Sequence, residues 1–547
     1  MAKSVLIFGG GVAGLSAAHE LVDRGFVVTV HEATQVVGGK ARSIDKPGSG
    51  QGSRKDLPGE HGFRFFPGFY QHVIDTMMAI PATAQTTVFH NLKATQSVGI
   101  ARVGESLYSL PVEAPQTPAQ WFQTLNRWFA NPQLGIPAGE SLFFIGKLME
   151  FMTSCDERRV GQYENTKWWD FVDAGNKSQA YRDLLARGLT RSLVAMRAEV
   201  ASTRTIASIL CQMLFSLADP NGPACDRVLD APTNTAWITP WHQMLQQRGV
   251  NFVMGSALEA LAVQAGHIQS ADVRSTAGVK STLQADYYVC AIPLEVMQRL
   301  VTQPLKQAAQ SLANLGQLQT DWMNGIQYFL KVDTPILRGH VILAESPWAL
   351  TLLSQPQFWA GVDLTQFGNG TVKGLISVDI SDWDAPNAAG LSAKKCTEAQ
   401  IRDEVWKQLK DHLSFANLQD SDLVDHMLDP AIVFDNPKVN REPLFINTVG
   451  SLRARPDAKT GIPNLFLASD YVKTHTDLAT MEGANEAARC AVNGILQASG
   501  SAAQPCAVWP LKEPAIFLPA KALDKAFWDL GLPHPGATNV MNLMGWV

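Results

Sequence analysis

Cysteine is sparse in this sequence and never closely spaced. Cys155, Cys211, Cys225, Cys290, Cys396, Cys490 and Cys506 are scattered through 547 residues without a CxxC pair. Zinc and iron–sulfur spacings are therefore missing, no metal site is expected, and reduced structural thiols are the expectation. Charge is also scarce. Charged residues make up 17% of the chain, the net charge is −5, and no basic block exists of the kind that tracks phosphates. Nucleic acid is thus excluded as an expected partner. No run of about 18 uncharged apolar residues occurs, so no membrane-spanning helix is expected. Met1–Ser4 leads straight into an apolar strand with no leader-like h-region and cleavage site, and the expectation is a cytoplasmic protein. With 46% hydrophobic residues the chain can bury large cores, and its length suggests two to four units at roughly 100–200 residues each.

What is present begins at residue 4. Val5–Phe8 is a continuous apolar run, as a parallel strand buried on both faces requires. It feeds Gly9-Gly-Gly11-Val12-Ala13-Gly14, then an apolar stripe at helical spacing, Gly25, and a second strand ending near Glu32. Gly9 permits the tight turn, Gly11 admits a diphosphate to the backbone, and Gly14 lets the helix pack on the sheet. The helix N-terminus supplies unpaired amides and partial positive charge. Glu32 stands 18 residues after Gly14, where an acid accepts bonds from ribose hydroxyls and repels a 2′-phosphate. Val37-Gly38-Gly39-Lys40-Ala41-Arg42 follows. Two glycines and a cation this close to the ribose acid can serve the same diphosphate, which narrows the dinucleotide to FAD.

The Glu-x(n)-Gly-Gly-Lys pattern resembles the second FAD signature of the flavin amine oxidase and phytoene desaturase superfamily. Gly59-Glu60-His61-Gly62-Phe63-Arg64-Phe65-Phe66-Pro67-Gly68 is similar to the loop covering the isoalloxazine ring in plant-type carotenoid desaturases. The closing segment Gly461–Lys473 with Leu478–Ala484 is similar to that family's last motif. The resemblance implies that Asp470 meets the flavin's sugar-phosphate chain. It also implies that Met481, Glu482, Gly483 and Ala484 open a helix facing the flavin's pyrimidine end, and that the turn near Leu258 meets the adenine. It implies an α/β fold in which a Rossmann-type FAD-binding domain is interleaved with an α+β substrate domain. FAD-domain segments are expected at 1–80, 231–315 and 446–500. A mainly helical substrate segment is expected at 81–230, a strand-rich one at 316–445, and a C-terminal extension at 501–547.

A second nucleotide fingerprint is missing, so electrons are expected to pass from an organic substrate to FAD and on to O₂ or a quinone. No cysteine precedes the closing motif and no tyrosine pair accompanies it, so FAD is expected to be non-covalent and an amine cage is not expected. Arg64, Phe65 and Phe66 are the expected pocket lining, with His61 as a candidate base. Arg453 and Arg455 are candidates to bind an acidic group or to support the FAD domain, and Lys331 is a weaker candidate partner for flavin N5. The leading expectation is a desaturase or oxidase of an apolar, lipid-like substrate. An amine or amino-acid oxidase, a redox-neutral polyene or fatty-acid isomerase, and a flavin-free carrier are the alternatives. The stripe Leu142–Met152 and the tail Ala515–Leu532 are compatible with core packing or with peripheral contact at the inner face of a membrane, and self-association is compatible with the composition.

Overall fold

The computed structural model describes residues 2–536 apart from 111–114, 195, 220, 221 and 223, with no side chains considered at 192–194. The apolar runs at the chain's start, middle and end meet in one parallel five-stranded sheet. Its order is Leu465–Leu467, Tyr287–Cys290, Ser4–Phe8, Val27–Glu32 and Asn251–Met254. Val5, Ile7, Val30, Val289 and Leu465 are at most 1% exposed, as strands covered on both faces demand. The helices Val12–Val22 and Met481–Ser499 pack against each other on this sheet. Small residues at their contact, Ala17, Ala18, Ala487, Ala488 and Ala491, are fully buried. An antiparallel meander, Ser256–Gln264, His267–Ser275 and Lys280–Leu283, rises between the third and fourth strands in sequence.

A second sheet of seven strands holds the rest of the β-structure. Its order is Leu423–Leu428, Asn324–Leu330, Gly374–Ile380, Leu350–Ser354, Val341–Leu343, Gly99–Ala101 and Tyr108–Ser109. Side chains alternate across it. Ile326, Tyr328, Ile376, Val378, Leu350 and Leu352 form one core with Ile401, Val405, Trp406 and Leu409 of the helix Glu398–His412. The intervening positions Gln327, Ser377, Asp379 and Thr351 point the other way and are also buried. That polar face looks toward the loop 59–68, where the amide of Glu60 donates to Gln327 Oε1 at 3.3 Å.

The segment 81–230 is helical over Pro118–Phe129, Ala138–Met152 and Thr203–Leu217, among shorter helices. It also supplies strands Leu92–Ala94, Gly99–Ala101, Tyr108–Ser109 and Arg227–Leu229, of which Gly99–Ala101 and Tyr108–Ser109 are the last two strands at one end of the second sheet. These short strands escape a reading by periodicity because two or three residues give no period. The stripe at 142–152 is core: Phe144, Ile145, Leu148, Met149 and Met152 are fully buried, and Leu142 alone of its large apolar members is exposed. Residues 501–536 of the expected C-terminal extension fold back over the body, and 537–547 lie outside the described residues. Asp524 of the helix Leu518–Asp529 makes a buried ion pair with Arg158, and Phe517 enters the main core. Leu518, Leu530 and Leu532 of this tail stay exposed. Among the described residues no helix is long and apolar enough to cross a membrane, and no His, Cys, Asp and Glu cluster could hold a metal. All seven cysteines are free.

Candidate active site

The two glycine loops are joined before any ligand is considered. The amide of Gly38 donates to Gly10 O at 2.8 Å, and Gly11 bridges Gly38 in parallel. Gly9, Gly38 and Gly39 have φ of +106°, +115° and +54°, values that L side chains rarely adopt. A Cβ on Gly14 would lie 1.8 Å from the carbonyl oxygen of Gly9, so its glycine is needed for helix packing. Gly14 stands behind the loop and does not line the cavity. The helix opens at Gly11 without a side-chain cap, leaving first-turn amides available to an anion.

A cavity of about 530 Å³ runs from this loop between the two sheets. Gly9, Gly11, Val12, Ala13, Glu32, Gly38, Gly39, Lys40, Arg42, Leu258, Asp470, Met481 and Ala484 line it. Glu32 accepts bonds from the Gly10 amide at 2.6 Å and from the Thr34 amide at 2.8 Å, which fixes its carboxylate at the end of the strand. His31 and Ser256, bonded to each other at 2.9 Å, form the neighbouring wall beside Leu258. Glu295 also lines the cavity; burial raises its carboxyl above the ordinary range, against the pull of Lys40. Backbone cradle, uncapped helix, ribose acid and length of cavity together fit a dinucleotide of FAD's size. No cysteine is among the lining residues.

Two members of the closing motif do other work. Glu482 faces away from the cavity and is 1% exposed. Its carboxylate accepts from the amides of Gln71, His72 and Val73 at 2.7–2.9 Å and pairs with His72 Nδ1 at 2.7 Å. It therefore caps the helix His72–Ala79 from outside. Gly483 gives its amide to the Thr480 hydroxyl at 3.1 Å and would not tolerate a Cβ, which would fall 2.6 Å from Leu478 O. The cavity-facing part of this turn consists of Leu478–Met481 and Ala484.

The loop 61–65 forms the other end of the cavity, with Met196, Ile209, Met213, Met323, Asp379, Arg441, Glu442 and Phe445. Arg64 is there, but its guanidinium is occupied by main-chain carbonyls: Gly62 at 2.8 Å, Phe63 at 3.1 Å, Ala41 at 3.4 Å, and Lys40. It ties the ring-side loop to the Gly38–Gly39 turn. Phe65 lines the cavity and packs on His340. Phe66 is fully buried in the core against Trp237 and Tyr70, since its amide is drawn to Arg227 O and its side chain turns inward. Its expected place on the pocket wall is thus corrected. His61 reaches Asp429 at 2.6 Å and Glu442 at 3.5 Å; Asp429 is held below the ordinary carboxylate range because His61 and neighbouring donors outweigh its burial.

Asp379, Met196, Arg441 and Glu442 are lining residues that the sequence does not reveal. Tyr70 is the tyrosine among the lining residues; Tyr471 is buried elsewhere. Arg455 bonds Asp477 and the carbonyls of Tyr471 and Val472. Lys331 is on the surface, bonded to Ser421 O.

Comparison with known proteins agrees with this architecture. Residues 226–496 match the model for flavin-containing amine oxidoreductases, and residues 7–79 match the NAD(P)-binding Rossmann-like domain. The zeta-carotene desaturase of Synechocystis is 24% identical over 516 residues, covering 90% of this chain and 97% of that protein. The chain belongs to the flavin amine oxidase and carotenoid desaturase superfamily. It is a flavin-dependent oxidoreductase. A shorter match, 41% over 69 residues, covers 12% of this chain and 10% of the carotenoid phi-ring synthase of Chlorobaculum tepidum. Cyclohexylamine oxidase from Brevibacterium oxydans shares the fold, with a TM-score of 0.60 at 14% identity over 91% of this chain and all of that one.

Proposed function

We propose that this oxidoreductase binds FAD non-covalently and desaturates an apolar, lipid-like substrate, passing the electrons to a quinone or O₂. The observation that carries this reading is a second cavity of about 180 Å³ beside the flavin cavity. Its wall is built of Trp128, Phe129, Leu184, Leu189, Leu210, Leu214 and their apolar neighbours, and Met213 lines both cavities. The charged members of this chamber's wall, Asp183, Arg191 and Glu345, are engaged by Gln179, Asp382 and Arg102, and the rest of the wall favours hydrocarbon. When bound, FAD supplies a two-electron acceptor for hydride. The chain's own residues then do three things. Gly9–Ala13 and Gly38–Arg42 hold the diphosphate region, Glu32 takes ribose hydroxyls, and Met196, Ile209, Met213, Met323 and Phe445 keep water from the reacting end. The relationship to a zeta-carotene desaturase supports the same substrate class.

The test uses the purified chain reconstituted with FAD and given ζ-carotene in liposomes with a soluble quinone. Desaturation is expected, with one quinone reduced per double bond formed. Product without quinone consumption would identify a redox-neutral isomerase. Peroxide formed from simple amines, with no reaction of ζ-carotene, would identify an amine oxidase. Flotation with the same liposomes, compared with a chain lacking the exposed leucines Leu518, Leu530 and Leu532, tests peripheral membrane contact. Sedimentation tests self-association.

A further inference from the structure

The strand Gly374–Ile380 delivers Asp379 to the cavity, because residue 379 lies on the sheet face opposite the helix Glu398–His412. Its neighbours in register are Gly325 and Thr351. The carboxylate rests on two glycines. A Cβ on Gly62 would fall 2.4 Å from Asp379 Oδ1, and one on Gly325 would fall 3.2 Å from it and 2.7 Å from Gly62 Cα. Three chain segments therefore leave a gap that this carboxyl group fills at the cavity wall.

The charged groups facing it are already committed. His61 is paired with Asp429. Arg64 is spread over main-chain carbonyls. His340 lies 2.5 Å from Asp226 and is enclosed by Phe63 and Phe65. Of the two flanking strands, one presents Gly325 and the other Thr351, neither of them charged. At the same end, Glu442 is held by Arg42 at 2.8 Å.

We propose that Asp379 is the proton-transfer residue of the reaction, taking a proton from the substrate carbon next to the one that loses hydride. This rests on the desaturase reading. Two C–H bonds break and one C=C bond forms. FAD, when bound, would accept the hydride with its two electrons, the proton would pass to the Asp379 carboxylate, and the quinone or O₂ named above would be the final electron acceptor. Met196, Met213, Met323, Phe63, Phe65 and Phe445 line this end together with His61, Arg64, Arg441 and Glu442. Burial pushes the Asp379 carboxyl up to about 7, against the pull of Arg64, His61, His340 and the Phe63 amide. A base poised near neutrality can both take and release a proton at working pH.

The experiment compares wild-type, Asp379→Asn and Asp379→Glu holoenzymes, with His61→Gln as a control. Flavin absorbance is first titrated without substrate between pH 5 and 9. A spectral shift centred near pH 7 is expected in wild type, is expected to persist in His61→Gln with its midpoint displaced upward because the pull of His61 is gone, and is expected to vanish in Asp379→Asn. A shift unchanged in Asp379→Asn, or none in wild type, overturns the proposal. Anaerobic flavin reduction by ζ-carotene is then followed. Its rate is expected to rise with pH through about 7 in wild type, to fall at least about 100-fold in Asp379→Asn, and to recover in part with a displaced midpoint in Asp379→Glu. Wild-type rate and pH profile in Asp379→Asn overturn the proposal. If ζ-carotene reduces none of the enzymes while the substrate-free titration behaves as expected, the placement of Asp379 stands and the desaturase reading is what fails.

Discussion

Gly11 and Gly39 approach until their main chains touch: a Cβ at residue 39 would lie 3.0 Å from Gly11 Cα, while a Cβ at residue 11 would meet Gly39 Cα at an ordinary 3.6 Å. The asymmetry separates folding from cofactor binding. Gly11→Ala fits the empty loop but puts a methyl group where a diphosphate must meet the backbone. It is expected to fold with an unaltered melting temperature of the FAD-free protein and to bind FAD at least about 100-fold more weakly, because backbone approach is what the loop supplies. Gly14→Ala drives a methyl group into Gly9 O and is expected to lose the fold itself. Flavin-to-protein absorbance and circular dichroism distinguish the two. Equal FAD retention by Gly11→Ala and wild type would remove the loop from the site.

The same comparison shows why one part of the site is legible in the sequence and another is not. Gly9–Gly14, Glu32 and Gly38–Gly39 lie within 31 residues, so a single βαβ unit fixes their geometry, and backbone needs that only glycine meets leave a local trace. Asp379 has no such trace. It is one alternate position in a strand whose other positions face a helix, and its placement depends on two sheets meeting. Phe66 fails for a related reason. Phe63, Phe65 and Phe66 are equivalent as letters, and what holds the Phe66 backbone, bonds from its amide to Arg227 O and the Asp226 carboxylate, comes from residues 160 or more positions away. Glu482 reads as a flavin neighbour because it stands in a flavin-facing motif, yet successive helical residues point about 100° apart and this one caps another helix.

Arg64 is expected to act on cofactor retention and not on substrate affinity. Arg64→Ala removes the clamp between the 61–65 loop and the Lys40–Ala41 turn. Hydrogen bonds to a charged donor are worth about 1.5–3 kcal/mol where they are not shared with water, and this side chain is half-buried. A loss of about 2 kcal/mol of stability and a roughly tenfold weaker hold on FAD are expected. Lysine, with a point charge in place of the planar fork, should not restore them. Urea denaturation and fluorescence titration with FAD measure both. A large rise in KM at unchanged FAD affinity would instead make Arg64 a substrate anchor.

Glu60 makes stability depend on pH. Burial raises its carboxyl to about 7, against the opposing pull of Arg64 and the Thr233 donors. The folded state thus holds a proton that the unfolded chain has released above its ordinary value near 4.5. Stability from this group is complete below about 4.5 and is lost as pH rises to about 7, by on the order of 3 kcal/mol. Asp379 contributes with the same sign. Glu60→Gln keeps an acceptor for the Thr233 amide, bonded at 2.9 Å in the native protein, and cannot ionise. Its urea midpoint is expected to change less than that of wild type between pH 5 and 8 and to exceed it at pH 8. Parallel curves for the two proteins would place the proton elsewhere.

Met213 borders both of the cavities on which the substrate reading depends. On the helix Thr203–Leu217, Ile209 faces the flavin cavity, Leu210 and Leu214 face the apolar chamber, and Met213 borders both. Met213→Trp places a larger, stiffer side chain at that border, whereas Met213→Leu keeps nearly the same volume with less adaptability. If a long substrate threads from the chamber to the flavin, Met213→Trp should depress kcat/KM for ζ-carotene at least about tenfold. FAD binding and reduction by dithionite should stay as in wild type, and Met213→Leu should stay within about twofold. A Met213→Trp enzyme as fast as wild type would mean that the substrate reaches the flavin by another route. The apolar chamber would then be packing space, and its walls would no longer argue for a lipid-like substrate.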